Sequence, residues 1–150
     1  MRTPSCATLA LTVLLLGAPV AAWEKKIQMQ NLPPAVQKAV QEHSQAATIR
    51  GLAKEVENGK TLYEAELLIE GRTRDITFDS EGTVVSLEQE VPIESLPAPA
   101  RDAIRKAAGT RKVLMLESVT AGGATFYEAR VKKGPWAPEI RVDAGGRPVK

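Results

Sequence analysis

The sequence is poor in the residues on which most enzyme and metal sites depend. It has one cysteine, Cys6, and one histidine, His43, in 150 residues. A single cysteine excludes an intramolecular disulfide and a cluster of cysteine ligands for zinc. A single histidine leaves little for acid–base chemistry to use. The composition therefore favours a protein that binds rather than one that catalyses.

Charge of one sign is also scarce. The formal net charge is only +2, with 20 basic and 18 acidic residues interspersed along the chain. Nucleic-acid binding proteins concentrate Lys and Arg on one surface, and membrane-surface proteins carry a polybasic patch. Neither pattern is present, so the sequence indicates no nucleic-acid partner and no electrostatic attachment to a membrane.

The first 22 residues have the pattern of a secretory signal peptide. Arg2 gives a short positive start, residues 7–16 are almost wholly apolar, and residues 20–22 are small. Cleavage is expected before Trp23, which gives a periplasmic or secreted mature chain. Cys6 lies within this segment, so the mature protein is expected to have no thiol at all.

The alternative for this segment is an uncleaved membrane anchor. Its apolar run is shorter than the roughly 20 residues that span a bilayer. Gly17 and Pro19 also interrupt it. The sequence therefore predicts no stable membrane anchor after cleavage.

What the chain does have is an internal repeat. Residues of turn and core type recur after 64 positions without a gap; in the first copy they are Leu32, Pro33, Ala39, Leu52, Gly59, Thr61, Tyr63, Glu64, Ala65, Ile76, Asp79, Gly82 and Val85. Self-similarity at a fixed period is typical of one small fold built twice. We therefore predict two tandem repeats, residues 23–86 and 87–150.

Within each repeat the pattern predicts a helix followed by four short strands. A Leu-Pro pair starts each helix, at Leu32 and at Leu96. Asn58-Gly59 and Gly122-Gly123 mark a tight hairpin turn, because both pairs favour positive backbone angles. Connections this short imply antiparallel neighbours. The expected fold is α+β, with each repeat a helix packed on a four-stranded antiparallel sheet.

These motifs resemble the PepSY-like domain family, which is likened in fold to the secreted β-lactamase inhibitor protein. The matching unit is a Leu-Pro helix start, a hairpin, the Tyr63-Glu64-Ala65 strand, and a strand that closes in the turn from Asp79 to Gly82. The resemblance covers nearly all of the mature chain, twice. It implies small exported envelope modules that bind or restrain other proteins, with no catalytic residues and no cofactor.

Two groups of charged residues are candidate binding positions on the predicted sheet. Glu64 and Glu66 fall on one face of their strand, and Glu128 and Arg130 take the same places in the second repeat. Two carboxylates could act as an acid–base pair. A solvated face with cross-strand ion pairs is the simpler interpretation. His43, replaced by Ala107 in the second repeat, is interpreted as a helix-packing or surface residue.

Trp136 is the third candidate, because two prolines flank it in residues 134–138. A large aromatic on a stiff loop is a typical binding anchor, and packing over the sheet edge is equally consistent with its position. The Asp79 turn resembles part of a calcium loop but has too few ligands for one. We interpret it as a plain turn.

The sequence therefore predicts an exported, non-enzymatic protein that binds a protein, peptide or envelope component and uses no cofactor. The alternative is a small-ligand or metal-sensing envelope protein with a pocket between the repeats. A weak hydrolase centred on His43 comes third.

Overall fold

The computed structural model describes residues 25–57, 59–132 and 138–149. The predicted signal peptide, Trp23, Asn58 and the Trp136 loop lie outside these ranges. The α+β prediction is confirmed: two helices accompany eight strands, which form one antiparallel sheet in chain order.

The elements alternate as the hydrophobic pattern predicts. The strands are β1 Lys25–Lys26, β2 Thr48–Glu57, β3 Lys60–Ile69, β4 Arg72–Phe78, β5 Val84–Glu90, β6 Val113–Ala121, β7 Ala124–Val131 and β8 Glu139–Asp143. The helices are α1 Pro34–His43 and α2 Ala98–Ala108, and a single 3-10 turn precedes each of them. In both helices a proline lies in the first turn, where its missing N–H costs nothing.

The hydrophobic core has two separate parts, one under each helix. Val36 and Val40 of α1 pack on Ile76 and Phe78 of β4, together with neighbouring residues of β3. The second cluster groups residues of α2, β6, β7 and β8, namely Leu96, Ala100, Ile104, Leu116, Ala129 and Val142. Each helix therefore covers its own part of the same sheet face.

The predicted pair of four-stranded sheets differs from the observed arrangement. β5 pairs with β4 on one side and with β6 on the other, so both halves share one sheet. The expected boundary between residues 86 and 87 falls inside β5. The first strand of the chain explains this: Lys26 pairs with Ala53, and 64 residues later Glu90 pairs with Glu117. The end of β5 thus takes the place of β1 for the second half.

The 64-residue repeat also governs local geometry. A bulge between Ile49 and Gly51 of β2 has its counterpart between Val113 and Met115 of β6. In the hairpin turns Gly59 and Gly123 have φ of 76° and 78°, as their predicted turn type requires.

The turns that follow β4 and β8 match as well. Asp79 Oδ1 accepts hydrogen bonds from the N–H groups of residues 81 and 83, and Asp143 Oδ1 accepts them from residues 145 and 147. These carboxylates hold their own backbone, which supports the interpretation of a plain turn.

No helix among the described residues is long and apolar enough to cross a membrane.

Candidate functional site

The two helices leave one face of the sheet uncovered, and we call it the open face. Tyr63, Ala65 and Leu67 of β3 belong to the core beneath α1. Side chains alternate along a strand, so Glu64 and Glu66 lie on the open face. Residues directly opposite each other in neighbouring strands share a face, and the pairing register therefore identifies the rest of this surface.

One row of the open face brings acidic residues into direct opposition on three strands. Glu66 of β3 lies opposite Asp75 of β4, and Asp75 lies opposite Glu88 of β5. Like charges in this position destabilise a sheet. Three adjacent carboxylates therefore oppose folding unless a ligand or partner supplies positive charge.

A second acidic row crosses the joint between the two halves. Glu90 of β5 lies opposite Glu117 of β6, which lies opposite Glu128 of β7. Glu117 is 7% exposed and is the buried charged residue of the described chain. The row ends at Arg141 of β8, which lies opposite Glu128.

Burial and mutual repulsion raise the pKa values of these acids. For Glu64 desolvation is the largest cause, followed by the charges of Glu55 and Asp75, and its pKa rises to about 7. Desolvation and the neighbouring acids also raise the pKa of Asp75. Desolvation and Glu88 raise the pKa of Glu117, against an opposing contribution from Arg130. The face thus holds carboxylates that resist ionisation near neutral pH.

Positive charge in contact with these acids is found at one end of the open face. Arg141 Nε lies 2.8 Å from Glu128 Oε2, and Arg130 Nη2 lies 3.9 Å from Glu139 Oε1. Desolvation still raises the pKa of Glu128, although Arg141 opposes it. Among the described residues, the ion pairs of this face are confined to β7 and β8, and the acids of β3 to β6 form none.

The structure brings the predicted candidates to the same face but not into one cluster. Glu64 and Glu66 lie on β3, and Glu128 and Arg130 lie on β7, with three strands between them. Cross-strand ion pairing, expected for both groups, is observed only in the second. Trp136 lies outside the described residues, so its role stays a prediction.

The acids that complete the surface were not identified from the sequence: Asp75, Glu88, Glu90 and Glu117. No periodic pattern distinguishes them, because their proximity depends on strand register.

His43 is a packing residue, as predicted. It is the last residue of α1, and its ring centroid lies 5.7 Å from that of Phe78. Within the described part of the chain, no group of three or more His, Cys, Asp or Glu residues has an arrangement suited to a metal ion.

Comparison with known proteins identifies the fold. No family model matches the chain, and no curated protein matches it. The resemblance to PepSY-like domains therefore stays a prediction. Solved structures do match it, at identities that show a shared fold alone.

Three of these structures are from Bacteroides species. A protein of Bacteroides eggerthii assigned to the periplasm is 17% identical, with a TM-score of 0.65 over 79% of this chain and 86% of that one. A DUF2874 family protein of Bacteroides ovatus is 18% identical, with a TM-score of 0.62 over 79% and 85%. A BLIP-like protein of Bacteroides fragilis is 21% identical, with a TM-score of 0.57 over 77% and 82%. The chain therefore has a BLIP-like α+β fold.

Proposed function

We propose that this protein is an exported, non-enzymatic binding protein whose open face receives a cationic segment of another protein in the cell envelope. The observation that carries the proposal is the direct opposition of Glu66, Asp75 and Glu88 on three adjacent strands. A cationic partner would relieve their repulsion. Part of the cost of assembling the face would then be recovered on binding.

The geometry of the face suits a protein surface or peptide better than a small molecule. The two acidic rows run across neighbouring strands from β3 to β7, which at roughly 4.8 Å per strand is a span of about 19 Å. This extent is comparable to a segment of several residues. Complementary charge over such a span favours fast and specific association more than raw affinity.

Location in the envelope is part of the same proposal. It is supported by the predicted signal peptide and by a structural neighbour assigned to the periplasm. The non-enzymatic role is supported by His43, which packs on Phe78 instead of facing a cleft.

The test uses two triple variants of equal net charge. Glu66→Gln, Asp75→Asn and Glu88→Gln together neutralise the first acidic row. Glu42→Gln, Glu81→Gln and Glu94→Gln neutralise three exposed acids that lie outside the sheet strands. The probe is a lysine-rich synthetic peptide, titrated by calorimetry at two salt concentrations. We expect the first variant to weaken binding at least about tenfold and the second less than about twofold.

Equal weakening by both triple variants would show a response to net charge alone and would contradict the proposed site. Undiminished binding by the first variant would also contradict it. A pull-down from envelope extract with the same two variants then identifies the natural partner by its differential loss.

A further inference from the structure

The two halves of the protein differ at the sheet edge formed by β8. A cavity of about 700 Å³ opens there between α2 and β8. Its apolar lining includes Ala103, Ala107, Ile140, Val142 and Val149, and the charged residues Lys106, Glu139 and Arg141 also border it. We call it the β8 groove.

The first half shows what fills the equivalent place. Beside β4, the strand β5 supplies Leu87, which lies opposite Ile76 and packs on the first core. The rings of His43 and Phe78 fill the space next to it. No cavity is needed there because a neighbouring strand and two rings occupy the volume.

The second half has the same frame with smaller contents. Ala107 and Val142 stand 64 residues after His43 and Phe78, so both rings are missing. The chain starts the equivalent of β5 with a bridge from Pro148 to Val142 and a hydrogen bond from the Val149 N–H to the Arg141 carbonyl. Among the described residues, nothing takes the place of Leu87 opposite Ile140.

We propose that an extended segment of a partner polypeptide adds to β8 as a further antiparallel strand, in the place that β5 takes beside β4. It inserts one large apolar side chain opposite Ile140. Strand addition gives affinity through main-chain hydrogen bonds and specificity through alternate side-chain pockets. Because the groove lacks the rings of the first half, it accepts an aromatic anchor. The residue after the anchor lies opposite Glu139, which favours Lys or Arg there.

Two copies of this chain fit the groove less well. The opposite sheet edge, β1, has two residues and both are lysines, a feature that discourages edge pairing. Two β8 strands cannot pair along their length, because Pro148 and Val149 already cover part of that edge. The occupant is therefore a strand of different sequence.

The protein's own β5 is the prototype for a probe. A fluorescein-labelled peptide of residues 84–90 carries Leu87→Phe and Glu88→Lys, and its control carries Leu87→Asp in place of Leu87→Phe. Its side chains are neutral overall, so the acidic open face has little attraction for it. A failure here would be distinct from a failure of the cationic site. We expect the Phe peptide to bind at least tenfold more tightly than the Asp peptide, measured by fluorescence anisotropy.

The protein variant for this test copies the first half. Ala107→His with Val142→Phe fills the groove from within, and Ala98→His, at the exposed start of α2, is its control. We expect the double variant to lose at least tenfold in affinity and the control less than twofold. Equal binding of the two peptides, or full binding by the double variant, would overturn the proposal.

A second measurement does not depend on how well the variant folds. In the wild-type protein the Phe peptide should shift and protect the amide signals of Glu139 and Arg141 in nuclear magnetic resonance spectra. Unshifted signals at these residues would overturn the proposal. So would self-association of the wild-type protein by sedimentation that the double variant abolishes, because it would identify a second copy as the occupant.

Discussion

At the scale of single residues, the open face concentrates carboxylates whose ionisation is opposed by their surroundings. Glu117 is nearly buried on a sheet face that carries no helix, and its neighbours across the strands are Glu90 and Glu128. Such an arrangement lowers the stability of the folded protein at neutral pH. Positions that oppose folding in this way are expected where a protein binds something.

Glu64 provides the clearest prediction of pH dependence. Its pKa of about 7 in the folded protein exceeds the unfolded value of about 4.3. The folded state therefore binds more protons between these values, and stability falls as pH rises from about 4.5 to about 7. Glu64→Gln removes this effect. The variant should melt higher than wild type at pH 8, with a difference that shrinks below pH 5.

The matched control is Glu94→Gln, at an exposed position in the turn before α2. It should shift the melting temperature little, and equally at both pH values. A Glu64→Gln variant with the same advantage at pH 5 as at pH 8 would contradict the assignment of this carboxyl.

At the scale of elements, two glycines separate the contribution of turn geometry from that of helix packing. Gly59 and Gly82 have nearly equal φ, 76° and 79°. A Cβ on Gly59 would meet nothing within 4 Å, whereas a Cβ on Gly82 would lie 2.7 Å from the carbonyl oxygen of Ala35. Gly146 meets Pro99 in the same way in the second half. The turn after β4 therefore touches the first turn of α1 directly.

We predict that Gly59→Ala costs about 1 kcal/mol of unfolding free energy, from the left-handed backbone alone. Gly82→Ala should cost at least about 2 kcal/mol more, because the helix or the turn must move. Chemical denaturation of both variants measures the difference. Equal costs would show that the turn yields freely and that its contact with α1 does not hold the helix.

Local sequence signals account for much of this architecture. The Leu-Pro starts predicted both helices, and the glycines at 59 and 123 predicted the first hairpin of each half. The single sheet could not be predicted in this way, because the pairing of β5 with β6 joins strands separated by α2. The acidic rows were missed for a related reason. Asp75 lies opposite Glu66 only because Glu70 and Gly71, with φ of 51° and 79°, make a tight turn that sets the register.

At the scale of the whole molecule, two cores share one sheet but have different boundaries. β4 is an inner strand with partners on both sides, and its Ile76 and Phe78 are at most 1% exposed. β8 is an outer strand beside the cavity of the second half. The free energy needed to open the structure locally is therefore expected to be lower at β8 than at β4.

Native-state hydrogen exchange tests this expectation. Amides of β8 that bond to β7 should exchange at least about tenfold faster than amides of β4 that bond to β3, after correction for intrinsic rates. The pairs Arg141 with Glu128 and Asp75 with Glu66 occupy comparable places. Equal protection at the two strands would show that the sheet opens as one unit and that the groove does not weaken its edge.

The strand β5 has a consequence for how such a protein can change in length. It completes the first half and begins the second, so the repeating unit ends inside a strand rather than at a linker. Either half produced alone would leave the pairing groups of that strand exposed to any other strand in solution. Insertion of another 64-residue copy at the same point would instead bring one more helix and four more strands, joined through an interface that the molecule already contains. Growth by duplication is thus easier for this fold than division, as in solenoid proteins whose units are stable only beside their neighbours.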